Sequence, residues 1–224
     1  MIQPGIYERL YGLPLFQGMN NTDLVKLVGH TKLDFHRYPA GHVIIRDGSP
    51  CNFLCFLMSG TLRVTTESTD RNYALTEELS APEIAQPECI FGLNQHFTRT
   101  FTAKTNCNCM MLDKTEVMRI TAEYEIFRIN LLNILSTQTQ RLQRHLWHQQ
   151  PTTLEQRIGR FVEAHCLRPA GPKTLKIKMT RLAEELNDSR LDISHALNNL
   201  KAQGLIILHR GYIEIADMKN LLNM

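Results

Sequence analysis

The segment from Thr180 to Gly204 constrains the fold of this chain more than any other stretch, because it has the pattern of a helix-turn-helix. Its first predicted helix opens after Thr180. Asn187 and Asp188 favour a turn, since their short side chains compete for helical backbone hydrogen bonds. The second helix is predicted to begin at the N-cap Ser189 and to end at Gly204. The predicted inward faces carry Leu182, Ala183, Leu186, Ile193, Ala196, Leu197 and Leu200.

The outward face of the second helix differs in character, because four of its five side chains can form hydrogen bonds. They are Arg190, Leu191, Ser194, His195 and Asn198. Such a face suits the major groove of DNA, although an amphipathic helical hairpin with a solvated face would give the same pattern. Two short apolar runs around His209-Arg210-Gly211 predict a β-hairpin directly after it, at Leu205–Leu208 and Tyr212–Ile215. A helix-turn-helix followed by such a hairpin indicates a winged helix.

The excess positive charge lies in the same part of the chain. Residues 1–150 contain 14 basic and 14 acidic residues, whereas residues 151–224 contain 11 basic and 8 acidic residues. A basic cluster just before the first motif helix could contact DNA phosphates. A solvated basic face would look the same. The cluster consists of Lys173, Lys176, Lys178 and Arg181.

Composition places the chain among globular proteins of one or two domains, with 43% hydrophobic and 21% charged residues. We see no signal peptide and no stretch of about 20 apolar residues that could cross a membrane. We therefore expect a cytoplasmic protein, and we expect its six cysteines to be reduced thiols.

Between Lys32 and Leu112 the chain consists of short β-rich runs separated by turns. This spacing predicts an antiparallel sandwich or barrel such as a jelly roll. The predicted strands are Lys32–Tyr38, His42–Arg46, Phe53–Met58, Leu62–Thr66, Tyr73–Leu79, Phe101–Lys104 and Asn108–Leu112.

A long helix is predicted from about Glu123 to His148, and it has two apolar stripes. One stripe has the 3-4-3-4 spacing of a two-stranded coiled coil and would form a dimer interface. It comprises Leu132, Leu135, Thr139, Leu142 and Leu146. The second, comprising Phe127, Leu131 and Ile134, could pack on the β-domain of the same subunit. Spacing alone fits a helix buried in a monomer equally well.

Taken in order, these features resemble the Crp/Fnr family of bacterial transcription regulators. The matching segments are Tyr38-Pro39-Ala40-Gly41 with Gly48, Ser59-Gly60, Phe91-Gly92, Ala103-Lys104-Thr105, and Ser189-Arg190 through Leu205-Ile206. The resemblance implies an α+β protein with a cyclic-nucleotide-binding-like antiparallel β-roll or jelly roll (1–122), a dimerisation helix (123–150) and a winged helix-turn-helix (151–224). It also implies a homodimeric regulator without catalytic activity. Its expected partners are a pseudo-palindromic DNA operator and RNA polymerase, and not a membrane.

The expected DNA-contacting residues follow from the motif and from this resemblance. Arg190 is kept from the family pattern and could read a guanine. Leu191 and His195 stand where the resemblance places a glutamate and a second arginine, so the target sequence should differ. The full set is Lys176, Lys178, Thr180, Ser189, Arg190, Leu191, Ser194, His195, Asn198 and Arg210.

The resemblance also suggests a ligand pocket in the β-roll, at Phe91, Gly92, Leu93, Arg99 and Thr100. In cyclic-AMP-binding members the phenylalanine-glycine pair precedes a glutamate that holds the ribose hydroxyl. Leu93 cannot accept that hydrogen bond, whereas Arg99 could bind the cyclic phosphate. We therefore predict a β-roll that senses an unknown signal or serves structurally. A cyclic-nucleotide-dependent regulator is the alternative.

No other cofactor is predicted. An oxygen-sensing iron–sulfur cluster would need clustered N-terminal cysteines, and the first cysteine is Cys51. Cys107 and Cys109 would share one strand face, as a two-cysteine metal or redox site or as ordinary core residues. The nine histidines lack HxH or HExxH spacing, which weakens a cupin-like metalloenzyme as a rival. No residue points to haem binding, and we predict no metal site.

Overall fold

The computed structural model describes residues 6–146 and 151–224, which form two compact units. The first unit comprises the described residues up to Leu62 together with Leu79–Leu146. The second comprises Arg63–Glu78 together with the described residues from 151 onward. The chain therefore passes from the first unit to the second and back before it reaches its C-terminal half.

Antiparallel strands, four α-helices and a short 3-10 turn make up the described part of the first unit, as expected for a β-roll. The elements up to residue 146 are α1 (Ile6–Tyr11), α2 (Asn21–His30), β1 (Asp34–Tyr38), β2 (Val43–Ile45), β3 (Phe53–Ser59), β4 (Thr61–Glu67), β5 (Tyr73–Ser80), β6 (Glu83–Ala85), β7 (Thr100–Ala103), β8 (Cys107–Asp113), α3 (Lys114–Glu123) and α4 (Glu125–Leu146). Most of β4 and β5 belongs to the second unit. All seven predicted strands are present; only β6 was missed, because three residues are too few for a periodic pattern.

Four strand pairs of the first unit are antiparallel: β1 with β8, β8 with β3, β3 with β6, and β2 with β7. One sheet has the order β1-β8-β3-β6, and β2 pairs with β7. Three fully buried phenylalanines pack together, with Phe16 in the middle. The ring centroid of Phe16 lies 5.7 Å from that of Phe56 in β3 and 5.3 Å from that of Phe127 in α4. The predicted packing of Phe127 on its own β-domain is therefore confirmed.

The predicted long helix begins at Glu125, because the chain breaks the helix at Tyr124. The φ angle of Tyr124 is −117°, and its N–H donates to the carbonyl of Ile120 as the helical cap of α3. The Thr121 hydroxyl donates to the carbonyls of Val117 and Met118, a local competition that weakens helices. The last predicted residues of the helix, 147 and 148, lie outside the described residues.

The second unit has the elements of a winged helix. They are α5 (Leu154–His165), β9 (Lys173–Ile177), α6 (Met179–Leu186), α7 (Arg190–Ala202), β10 (Ile206–His209), β11 (Tyr212–Ile215) and α8 (Met218–Leu222). The wing is the predicted hairpin: β10 pairs with β11, and β11 pairs with β9, both antiparallel. One core contains the buried faces of α5, α6, α7 and the wing strands.

The sequence before α5 allows two capping boxes, Thr152 with Glu155 or Thr153 with Gln156. The structure uses the second, with Thr153 as the N-cap. Its hydroxyl accepts from the N–H of Gln156, 3.3 Å away, and the Gln156 side chain accepts from the N–H of Thr152. Both registers satisfy the same sequence pattern, so the pattern alone could not separate them.

The β4–β5 hairpin extends this winged helix by a further strand. β5 pairs antiparallel with β9 through five residue pairs, from Tyr73 opposite Ile177 to Glu77 opposite Lys173. Leu75 is 2% exposed within the same core as the helix-turn-helix. The Tyr73 hydroxyl lies 3.1 Å from Nε2 of His165. The winged-helix unit is thus completed by a segment about 100 residues earlier in the chain.

Candidate nucleic-acid interface and sensory site

The turn of the helix-turn-helix is held by backbone hydrogen bonds and one arginine. Asn187 ends α6 in the left-handed conformation, with a φ angle of 49°, and its N–H donates to the carbonyls of Ala183 and Glu184. Asp188 binds Arg157 of α5, with Nη1 and Oδ2 separated by 2.8 Å, and the same guanidinium donates to the carbonyl of Leu186. Because α5 anchors both sides of this turn, the orientation of α7 is fixed relative to the core.

Helix α7, the second helix of the motif, begins and ends where the sequence predicts. The Ser189 hydroxyl accepts from the N–H of Asp192 at 3.1 Å and donates to its carboxylate at 2.6 Å. The helix runs to Ala202, and Gly204 follows with a φ angle of 73°. In that left-handed conformation a side chain would strain the backbone, so glycine is favoured. The buried face is Ile193, Ala196, Leu197 and Leu200, as predicted.

The opposite face of α7 presents the expected contact residues. Arg190, Leu191, His195 and Asn198 are exposed, and Ser194 is half-buried. The Asn198 amide donates to the carbonyl of Ser194 at 2.9 Å, which orients it along the helix. Ser189 faces the helix end, where its hydroxyl is engaged with Asp192.

Only half of the predicted basic cluster is available to phosphates. Lys176 of β9 and Lys178, the N-cap of α6, are exposed, as is Thr180. The interpretation of Lys173 as a phosphate contact is wrong, because its side chain is 2% exposed and its Nζ lies 3.3 Å from Glu77. The interpretation of Arg181 as a phosphate contact also needs correction. Its Nη2 lies 3.1 Å from Asp70 and 2.5 Å from Glu185, so acidic groups already neutralise its charge.

Asp70 is ionised at this contact, because hydrogen bonds from Ser68 and Asn72 lower its pKa to about 2. The hairpin that contains it therefore presents a fixed negative charge to Arg181 at any physiological pH.

The wing turns at Arg210-Gly211, where Gly211 has a φ angle of 92°. Beneath the turn the rings of His209 and Tyr212 stack with centroids 4.3 Å apart, and His209 Nε2 lies 3.3 Å from Glu214. Arg210 is exposed at the tip. The stack stiffens the hairpin that carries this arginine.

The predicted pocket residues are placed around a short 3-10 turn, Pro87–Cys89. Leu93 is fully exposed after Gly92, and Phe91 is half-buried with Lys114 Nζ 5.3 Å from its ring centroid. Arg99 is 18% exposed, and its Nη1 lies 3.7 Å from Oε1 of Glu88. The Thr100 hydroxyl accepts from the N–H of Asp47 at 3.2 Å.

Glu88 is a candidate site residue that the sequence pattern missed. Glu88 lies eleven residues before Arg99 and outside Phe91-Gly92, the nearest segment that matches the family. Only the folded chain therefore shows that the two charges meet. The Gln86 amide donates to Thr98 at 2.8 Å and accepts from the Thr98 N–H at 3.1 Å, which joins the two segments. A carboxylate beside Arg99 reduces the positive charge available to an anionic ligand.

The predicted dimer seam leaves large apolar side chains in water on the single chain. Leu132 is 55% exposed and Leu142 is 68% exposed, while Leu135 is half-buried. The Thr139 hydroxyl donates a hydrogen bond to the carbonyl of Leu135 at 3.0 Å. Leu146 ends α4, and its side chain lies outside the described residues.

All six cysteines are free thiols, and five of them are buried. Cys55 and Cys109 share a hydrogen bond, which lowers the pKa of Cys109. The same hydrogen bond and burial raise the pKa of Cys55 well above its usual value. Burial raises the pKa of Cys107. Within residues 6–146 and 151–224 no three potential ligands form a metal-binding group, and the helices there are too short or too polar to cross a membrane.

This geometry defines a class of protein: a DNA-binding regulator with a β-roll and a winged helix. Two family models match. Residues 35–124 match the cyclic nucleotide-binding domain, and residues 140–224 match the Crp-like helix-turn-helix domain. The chain belongs to the Crp/Fnr family of DNA-binding transcription regulators.

Solved structures share this fold. The catabolite activator protein of Thermus thermophilus superposes with a TM-score of 0.54 at 18% identity, covering 93% of this chain and 96% of its own. A Crp/Fnr-family regulator from Eubacterium rectale gives 0.53 at 21% identity, covering 95% and 99%. The sensor domain of the regulator DNR from Pseudomonas aeruginosa gives 0.52 at 18% identity, covering 66% and 95%. No curated protein matches the chain by sequence.

Proposed function

We propose that this regulator acts as a cytoplasmic homodimer without catalytic activity, and that it reads a pseudo-palindromic operator with the exposed face of α7. The observation that carries the proposal is that face: four exposed side chains and one half-buried serine on a helix whose core side and both ends are fixed. A dimer would place two such helices about 34 Å apart, on successive major grooves. RNA polymerase is the expected protein partner at the promoter.

Self-association is supported by the exposed leucines of α4. Two large aliphatic side chains, Leu132 and Leu142, project from the same stripe, more than half in water. Their burial against a second copy would remove apolar surface from water, at about 25 cal/mol per Å². The coiled-coil spacing favours a symmetric, parallel pairing of α4 with α4 of a second copy of the chain.

Within this proposal Arg190 reads a base, whereas Lys176 contacts only phosphate. Replacing Arg190 with Ala should weaken binding by about 1–3 kcal/mol per half-site and relax specificity at one base pair, since an arginine can bind guanine through two hydrogen bonds. Replacing Lys176 with Ala should weaken all sequences similarly and reduce the salt slope by about 1. Fluorescence anisotropy on operator variants at several salt concentrations distinguishes the base contact from the phosphate contact. An unchanged base preference in Arg190→Ala would contradict the assignment.

We further propose that cyclic AMP is neither bound tightly nor needed for DNA binding. Leu93 supplies no acceptor for a ribose hydroxyl, and Arg99 is engaged with Glu88. A polar ligand group buried without a partner costs roughly 1–3 kcal/mol. The second candidate, a cyclic-nucleotide-dependent regulator, is favoured by one observation: the Glu88 carboxylate lies close enough to Arg99 to replace the missing acceptor.

Calorimetric titration of the full chain with cyclic AMP is expected to give a dissociation constant weaker than about 10 μM, or roughly 7 kcal/mol. Operator binding should be unchanged by the nucleotide. Arg99→Ala serves as the matched control, because it removes the side chain that is predicted to bind the cyclic phosphate. Tighter binding that disappears in Arg99→Ala and Glu88→Gln, together with nucleotide-dependent operator binding, would establish the second candidate instead.

A further inference from the structure

The first turn of α7 leaves only two side chains free to meet a base edge. Ser189 and Asp192 satisfy each other and the helix end, through the hydroxyl–carboxylate contact of 2.6 Å and the N-cap bond of 3.1 Å. Ile193 is fully buried in the core. Arg190 and Leu191 therefore define the chemistry of this turn.

Leu191 is exceptional on this face, because it is aliphatic and 67% exposed. It is not part of the core formed by Ile193, Ala196, Leu197 and Leu200. Its position is four residues before His195, so the two side chains lie on the same side of the helix. On the single chain most of this side chain is in water, and it can be buried when the helix enters a groove.

In the major groove the base edges offer one apolar group, the C5-methyl of thymine; guanine, adenine and cytosine present hydrogen-bonding atoms. A leucine can pack against that methyl group, and it leaves the other edges unpaired. We propose that Leu191 is a specificity-determining residue that selects a thymine in each half-site, next to the guanine read by Arg190. This inference rests on the proposed function of α7.

The test begins with the operator that purified full-length protein enriches from random duplexes. A thymine is expected within one or two base pairs of the position that Arg190→Ala relaxes. Replacing that thymine with deoxyuridine removes only the methyl group, and should weaken binding about fourfold per half-site, as for one buried methyl. Replacing it with cytosine should weaken binding further, and 5-methylcytosine should recover part of the loss.

The variant Leu191→Ala should bind the thymine and deoxyuridine operators equally. It should fold normally, because the side chain is exposed. Ile207→Ala is the matched control: Ile207 is an aliphatic residue of the wing strand, 53% exposed in the same unit, and its removal should leave the fourfold discrimination intact.

Three results decide the matter. Equal binding of the thymine and deoxyuridine operators by the unaltered protein, with Arg190→Ala still shifting the base preference, overturns the role of Leu191 and leaves the reading helix in place. Discrimination that persists in Leu191→Ala assigns the methyl contact to another residue. Failure to enrich any operator would overturn the proposed function itself.

Discussion

Replacing Leu142 with Asp should separate the protein into monomers at micromolar concentration and reduce operator affinity by two to four orders of magnitude. The aspartate would lie against its symmetry mate in the seam of α4. Two carboxylates in an apolar interface have no partner, and desolvation costs several kcal/mol for each. Because two linked half-sites bind with a high effective concentration, their separation removes far more affinity than any single contact.

Leu142 is a better position than Leu135 for this substitution. Leu142 is 68% exposed on the single chain, so a charge there leaves the fold of its own unit intact, whereas Leu135 is half-buried. Gln140→Asp is the matched control, since Gln140 is exposed on the other side of the same helix. Sedimentation and anisotropy should find this control dimeric with unchanged affinity. A Leu142→Asp variant that stays dimeric would place the interface elsewhere.

The second large effect is expected at the buried ion pair of the winged-helix unit. Glu77 and Lys173 are 3% and 2% exposed at their side chains, with 3.3 Å between Oε2 and Nζ. Glu77 also accepts from the N–H of Leu167 at 2.7 Å, and Lys173 donates to the carbonyl of Ala170 at 2.7 Å. Replacing Glu77 with Ala leaves the ammonium group buried without its countercharge and should destabilise the unit by about 3–5 kcal/mol.

The loss should be local before it is global. Hydrogen exchange is expected to show faster amide exchange in β5 and β9, whose pairing this ion pair joins, and the thermal midpoint of the second unit should fall. The exposed pair of Lys32 and Asp34, 3.5 Å apart, is the matched control. Asp34→Ala should cost less than about 1 kcal/mol, because water screens that pair.

A double substitution separates the charge from the packing. Glu77→Leu combined with Lys173→Met replaces the pair by apolar side chains of similar volume. It should recover most of the stability lost in Glu77→Ala, since a buried ion pair is often no better than a hydrophobic contact. A Glu77→Ala variant as stable as the original protein would mean that Lys173 reaches water when its partner is removed.

Local sequence signals were sufficient for the DNA-binding helices. The cap at Ser189, the left-handed Gly204 and the apolar spacing of α7 depend on neighbouring residues only, and each was predicted at its observed position. The seven strands of the β-rich region were found for the same reason. Registers that two residues satisfy equally, such as Thr152 and Thr153 before α5, were not resolved.

The sequence also contained a signal that the prediction did not use. Lys173 alternates with Leu175 and Ile177 on one face of β9, and Glu77 lies on the same face of β5 as Leu75. Two opposite charges, each on an otherwise apolar strand face, favour a buried pair over a phosphate contact.

By itself, then, the sequence determined the elements, most of their caps, the exposed face of α7 and the family, because these depend on periodicity and local hydrogen bonding. Only the tertiary structure decided that residues 63–78 complete the winged helix, that Glu88 meets Arg99, and that Lys173 is buried while Lys176 is not. The alternation of residues along a strand shows which of its faces is apolar, but it does not show which distant strand is its partner. That choice is made by the free energy of packing the whole core, which no local pattern contains.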